Sequence, residues 1–181
     1  MNKEMPTART KSLLKELTGN ELPETTTAYV HGSCLRNPGG RIGSAYLILH
    51  PDGDYAYGTQ AFISGTNMLS DAYALLMAFK ALDPSSPAVI ATDSTYLEKM
   101  LLHVSRAPLL PKVNRAVWEV IRPFSRRPAG FSIARTSGAL KTAGIHLTDT
   151  LAVHAAANGP WIDFPYPKSL DSKIPQTPYP R

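Results

Sequence analysis

A single cysteine, Cys34, stands in a chain of 181 residues. One thiol cannot close a disulfide within the chain, so a disulfide-stapled scaffold is excluded, as are zinc sites built on several thiolates. Long hydrophobic runs are missing too: nothing approaches the roughly 18 consecutive apolar residues that a membrane-spanning helix requires. The opening MNKEMPTARTKSLLKELTGN lacks the apolar stretch of a secretory signal, and its Glu4 and Glu16 argue against a mitochondrial presequence. The expectation is an intracellular protein, in cytoplasm or nucleus, with no membrane partner. Charged residues are scarce, at 18% against 43% hydrophobic. That balance suits one globular core with extensions at its ends.

The charge that is present is segregated. Of the formal +5, residues 1–30 and 142–181 contribute nothing, 31–98 carry net −3 and 99–141 carry net +8. A basic segment of this kind either follows a phosphate backbone, through Coulomb attraction and counterion release, or is an ordinary solvated surface. Within it RPFSRRP supplies Arg122, Arg126 and Arg127 as candidate nucleic-acid contacts, between two predicted elements.

Hydrophobic periodicity gives the order of elements. TTTAYVHGS, β-branched and aromatic, predicts a first strand stopped by Gly32. GSAYLILH and YAYGTQAFIS, on either side of the tight-turn sequence PDGD, complete an antiparallel meander. SDAYALLMAFKAL changes the period, placing Ala72, Leu75, Leu76 and Phe79 on one helical face with Ser70 as N-cap. Next come a strand in PAVIATDS, a helix in TYLEKMLLHV and a helix in PKVNRAVWEVIRPF that starts at Pro111 and ends before Pro123. FSIART predicts a last short strand, and HLTDTLAVHAAAN a closing helix stopped by Asn158 and Gly159.

The order β-β-β-α-β-α-α-β-α predicts an α/β domain over residues 25–158. An N-terminal extension over 1–24 carries a short helical pattern around Ser12 to Leu17. Residues 159–181 hold six prolines and are predicted to form an extended tail: a surface strap, a linker or a partner-binding peptide. The aromatic residues Trp161, Phe164, Tyr166 and Tyr179 favour docking of that tail over complete disorder.

Three carboxylates occupy informative places. Asp93 ends an apolar strand, Asp71 begins the first helix, and Asp149 lies in the first turn of the last one. In an open α/β sheet, groups just past strand ends and at helix N-termini face one crevice, so the three can converge. Each alone is explained as a helix cap. Together, converging carboxylates repel unless cations separate them, which points to a divalent metal site suited to phosphodiester hydrolysis.

Four stretches resemble the ribonuclease H family (type 1): YVHGSCLRNPGG, TNMLSDAYALLMAFKAL, ATDSTYL and LTDTLAVHAAA, in that order between Thr25 and Asn158. The resemblance implies a five-stranded mixed sheet in the order 3-2-1-4-5 flanked by helices. It also implies cleavage of the RNA strand of an RNA·DNA hybrid by two Mg²⁺ ions held on four carboxylates. Carried over by position, the second to fourth of these fall on Asp71, Asp93 and Asp149, as catalytic groups and metal ligands, and the first falls on His31. Asp71 is shorter by a methylene than the family's Glu. A neutral imidazole offers one lone pair, brings no negative charge and prefers softer ions than Mg²⁺. Met68 replaces the second Asn of the family's T-N-N run, and TSGALKTAG has no histidine where the family carries a mobile one. The connection from His103 to Pro111 is too short for the basic protrusion of some members. By the same resemblance Ser33, Cys34, Asn37 and Asn67 line the nucleic-acid groove; no neighbouring base in the sequence marks Cys34 as a nucleophile.

These departures lead to the expectation of a ribonuclease H-like domain that binds an RNA·DNA hybrid or duplex RNA and whose hydrolysis is impaired or lost. Such a domain would serve as a scaffold in a reverse-transcriptase or ribonucleoprotein assembly and need no cofactor. One alternative is an active hybrid nuclease with a variant His31–Asp71–Asp93–Asp149 site using Mg²⁺ or Mn²⁺, with His31 as a ligand for Mn²⁺ or Zn²⁺. Another is a protein-interaction module that engages a protein partner through the proline-rich tail.

Overall fold

The structure, a computed structural model, describes residues 22–106, 110–136 and 143–164. The helical pattern around Ser12 to Leu17, residues 137–142 of the TSGALKTAG loop and the tail beyond Phe164 lie outside the described residues.

The meander forms as its alternation requires. Strand β1 (Thr27–Cys34) pairs antiparallel with β2 (Ile42–Leu49), and β2 with β3 (Tyr55–Phe62). The β2–β3 turn closes with the His50 N–H donating to Asp54 O at 2.8 Å, and Gly53 takes φ +84, a value that favours glycine. β1 does not stop at Gly32 but runs on to Cys34. Gly32 is there for clearance: a Cβ at this position would lie 2.3 Å from the Asp71 backbone nitrogen, so the first helix can cross β1 at contact distance only over a glycine.

That helix, α1 (Asn67–Ala81), starts three residues before Ser70. Thr66 is the cap, its hydroxyl accepting the Leu69 N–H at 3.1 Å, while the Ser70 hydroxyl turns back to donate to Asn67 O. Ala72, Leu75, Leu76 and Phe79 are buried as their spacing predicts. Strand β4 (Ala88–Thr92) lies parallel to β1, and helix α2 (Thr95–Arg106) follows, its first turn capped by the Ser94 hydroxyl, which accepts the Leu97 N–H. Helix α3 (Arg115–Phe124) begins after Asn114, at φ +55, rather than at Pro111. It also contains Pro123 instead of ending before it. A proline in the last turn removes one N–H, and the Ser125 N–H still closes onto Ile121 O at 3.1 Å. Strand β5 (Phe131–Arg135) extends the sheet beside β4, and helix α4 (Ala143–Asn158) closes the expected order.

The sheet has six strands where five were expected, in the order β5-β4-β1-β2-β3-β6. The first five follow the order implied by the resemblance. The sixth, β6 (Trp161–Ile162), adds parallel to the edge of β3 at Ala61 and Phe62. Two residues between Pro160 and Pro165 carry no readable alternation, yet an edge strand needs only one side of its backbone paired. Just beyond it Phe164 packs edge-on against Phe62 and Tyr73, with ring centroids 4.9 and 5.6 Å apart.

One face of the sheet carries α1, α2 and α3 over the main core, which includes the fully buried Trp118. The other carries α4 over Tyr29, Leu47, Leu49 and Tyr55. Gly43 and Gly144 set that second spacing: a Cβ on Gly43 would lie 2.1 Å from Ala152 O, and one on Gly144 2.6 Å from the Tyr29 ring. No helix among the described residues is long and apolar enough to cross a membrane.

Candidate active site

β1 and β4 bring the first pair of side chains together. Their parallel register matches Tyr29 with Ala91, and two residues further along Asp93, just past the end of β4, is level with His31. Ser94 caps α2, and the Asp93 carboxylate faces β1, its Oδ1 3.1 Å from His31 Nδ1. His31 points toward the α4 side, where Asp149 Oδ1 lies 2.9 Å from Nε2. Asp149 is in the second turn of α4, not the first, and the close seating of that helix on Gly43 brings it over the ring. The imidazole thus bridges two carboxylates, one 15% exposed and the other 42%.

Asp71 reaches the same place from the opposite face. It lies in the second turn of α1 and is buried, and its Oδ1 accepts the Gly32 N–H at 2.8 Å. Burial pushes its carboxyl up to about 6, against the lowering effects of the Ser94 hydroxyl, His31 and the Gly32 N–H. The four positions therefore converge as the sequence suggests, though neither Asp71 nor Asp149 does so from a helix N-terminus.

Around this centre, Ser33 and Cys34 end β1, and the Cys34 thiol lies 3.6 Å from Gly65 O and 3.8 Å from Gly40 O. The loop after β1 is bonded to the one before α1: Asn37 Oδ1 accepts the Asn67 N–H at 3.2 Å. The arginines of RPFSRRP are placed elsewhere. Arg127 corrects the expectation of an exposed cation: it is buried, with Nη2 donating to the carbonyls of Asp83 and Ser86 below the start of β4. That is one strand length, roughly 16 Å at 3.3 Å per residue, from Asp93. Arg122 is half-buried and Arg126 exposed around the C-terminal end of α3. Besides Arg36 and Arg41 in the loop after β1, Arg135 is a cation at the site's end of the sheet; it ends β5 opposite Thr92, donates to the Thr95 hydroxyl at 2.8 Å and pairs with Glu98. Its position after an apolar strand parallels that of Asp93 and is the signal that could have singled it out. Ser94 was likewise missed, because its contact with Asp71 depends on how α1 and α2 meet.

No family model matches the sequence, and no curated protein does. The backbone is more informative. A ribonuclease H1 from the halophilic archaeon Halobacterium salinarum superposes with a TM-score of 0.55 at 22% identity, over 74% of this chain and 98% of that one. The foamy viral protease-reverse transcriptase, solved with double-stranded DNA, gives 0.60 at 20% identity, over 75% and 98%. LC11 ribonuclease H1, isolated from compost and solved with an RNA/DNA hybrid, gives 0.58 at 17%, over 73% and 96%. The fold is that of ribonuclease H.

A ribonuclease H fold implies a pair of divalent ions, and the donor set can be tested against them. Mg²⁺ needs hard oxygen donors at about 2.0–2.1 Å in near-octahedral geometry. Here the ring of His31 lies between Asp93 and Asp149, and a ring nitrogen that donates to a carboxylate has no lone pair left for a metal. Asp71 is turned to a backbone N–H, and among the described residues no three His, Cys, Asp or Glu side chains are grouped to hold a metal. The residues of this ribonuclease H fold do not fit the ion pair.

Proposed function

We propose that the chain is a ribonuclease H-like nucleic-acid-binding domain, for an RNA·DNA hybrid or a duplex, in which phosphodiester hydrolysis is impaired or lost. The carrying observation is the His31 ring set between Asp93 and Asp149. Ionised carboxylates in a groove repel a phosphate backbone unless something positive stands among them. The ring sets one nitrogen 3.1 Å from Asp93 and the other 2.9 Å from Asp149, so both carboxylates are engaged by the protein's own side chain instead of standing open to the groove. Asp71, held toward its neutral form, adds little repulsion in mildly acidic solution.

The binding surface in this reading is formed by Ser33, Cys34, Asn37 and Asn67, with Arg135 beside Asp93 as an attracting cation. The hybrid and duplex DNA found with two of the similar structures are the ligand classes it points to. A scaffold role in a reverse-transcriptase or ribonucleoprotein assembly is consistent with it. Arg126 stands on a different part of the surface.

The test joins binding to cleavage. Fluorescence anisotropy with a labelled RNA·DNA hybrid is expected to show affinity that falls with salt, each phosphate contact adding about −0.9 to the log–log slope. Incubation with Mg²⁺ or Mn²⁺ is expected to leave the hybrid intact. Negligible, salt-insensitive affinity refutes the binding; cleavage that Asp93→Asn abolishes refutes the loss of hydrolysis and supports an active variant site.

A further inference from the structure

The segment after α4 is joined to the loop that carries Asn37. Arg41 ends that loop, and its guanidinium carbon lies 3.9 Å from the centre of the Trp161 ring. Three contacts fix the ring in turn. Its indole N–H donates to Ala156 O at 2.9 Å, its backbone pairs with Ala61, and the next residue's carbonyl accepts the Ile63 N–H at 3.1 Å. From Arg41 the connection continues to the binding loops. The Gly39 N–H donates to Gly65 O at 2.7 Å, the Gly65 N–H to Gly40 O at 2.9 Å, and the Asn67 N–H to the Asn37 side chain. Each of these bonds needs residues 35–41 and 63–67 to stay in register. Arg41 itself is exposed, so the aromatic face is what restrains its guanidinium.

We propose that Trp161 is a positioning residue for the nucleic-acid surface. It acts through Arg41 to hold the loop on which Asn37 meets Asn67. The proposal rests on the nucleic-acid reading above. Trp161 is half-buried with its indole N–H committed to Ala156, so its ring serves the protein's own loop rather than a base.

The test uses the full chain with Trp161→Leu, Trp161→Phe, Arg41→Gln and the double variant Trp161→Leu/Arg41→Gln. A cation–π contact at such a site is worth about three- to fivefold in affinity, so Trp161→Leu should weaken hybrid binding by that factor. Trp161→Phe, which keeps a ring face under the guanidinium, should retain most of the affinity. In the Arg41→Gln background Trp161→Leu should add no further loss. Losses that multiply in the double variant would show that Trp161 acts independently of Arg41 and overturn the proposal. Hydrogen exchange without nucleic acid gives a separate readout, in which the Gly39 and Gly65 amides should exchange faster in Arg41→Gln and Trp161→Leu but not in Trp161→Phe. Unchanged exchange in Arg41→Gln, a surface change that leaves the core alone, also overturns it. If the parent protein does not bind the hybrid, the proposed function fails, and the exchange data alone decide the positioning role.

Discussion

Replacing His31 with aspartate puts a carboxylate where the resemblance to ribonuclease H implies one, and the structure says what that should do before any catalysis is measured. In EDTA the variant loses the bond to the 15% exposed Asp93, a charge-assisted contact worth about 2 kcal/mol. It also loses the bond to the 42% exposed Asp149, discounted for solvent to about 0.5 kcal/mol. Like-charge repulsion among the clustered carboxylates adds roughly another 0.5–1 kcal/mol. The sum, about 3 kcal/mol, corresponds to a melting temperature about 6–12 °C below that of the parent. Freed of the ring, the carboxylates become a divalent-ion site, and Mg²⁺ at 100 times its dissociation constant should return about 2.7 kcal/mol. The parent should melt within a degree or so of the same temperature in EDTA and in Mg²⁺ at matched ionic strength. Differential scanning calorimetry of both proteins in both buffers measures all four values. A parent stabilised by several degrees in Mg²⁺, or a His31→Asp variant that melts like the parent in EDTA, would refute the argument that the imidazole replaces the ions.

Further predictions concern pH and packing. Asp71, raised to about 6 mainly by burial, takes up its proton in the folded state before the unfolded chain does. Its contribution to stability therefore grows as the pH falls through 6, by about 2 kcal/mol at pH 4 and towards about 3 kcal/mol at still lower pH. Asp71→Asn removes that gain, and urea-unfolding profiles of the two proteins that run parallel from pH 7 to 4 would contradict the burial argument. Tyr96→Phe strips the hydroxyl that accepts from Asn114 Nδ2 at 3.1 Å and Trp118 Nε1 at 2.8 Å. Urea unfolding should show a loss of about 1–3 kcal/mol, because the buried Trp118 donor loses its acceptor. Phe164→Ala removes a ring packed on Phe62 and Tyr73 and should cost about 2 kcal/mol, a fall of roughly 4–8 °C in calorimetry. A melting temperature within a degree of the parent's would show that the residues after α4 are not part of the packed core.

The elements that read well from sequence are those whose periodicity spans several residues. The strands of the meander and the Ala72–Leu75–Leu76–Phe79 stripe lie where their spacing puts them, because one face of each is buried against one neighbour. Element ends read less well, since they depend on competition among capping groups. Thr66 and Ser70 both have capping chemistry, and it is Thr66, just after the loops zipped at Gly39 and Gly65, whose hydroxyl takes the cap. Arg127 looked like one of several surface cations because nothing in RRP shows that it folds back onto the carbonyls of the connection between α1 and β4. β6 lacked any signal at two residues, and its evidence is tertiary: Phe164 in an aromatic cluster and Arg41 over Trp161.

The convergence of the site was legible, whereas the state of the site was not. Strand order and register place Asp93 level with His31, and a reading of topology reaches that far. Whether the fourth carboxylate meets the imidazole depends on how low α4 rides on the sheet. Gly43 and Gly144 determine that, each at a contact a methyl group would break. A helix lifted by a Cβ at either position would carry Asp149 away from Nε2, leaving the ring one partner and the cluster less compensated. The geometry of the cleft therefore depends on two glycines as well as on His31. A fold that gathers carboxylates into one groove needs partners for their oxygens there, and this chain supplies one from β1 in His31. A lysine at the same position would carry its charge on a flexible stem. The rigid, two-ended imidazole lies within hydrogen-bond distance of Asp93 and Asp149 at once, linking the end of β4 to α4.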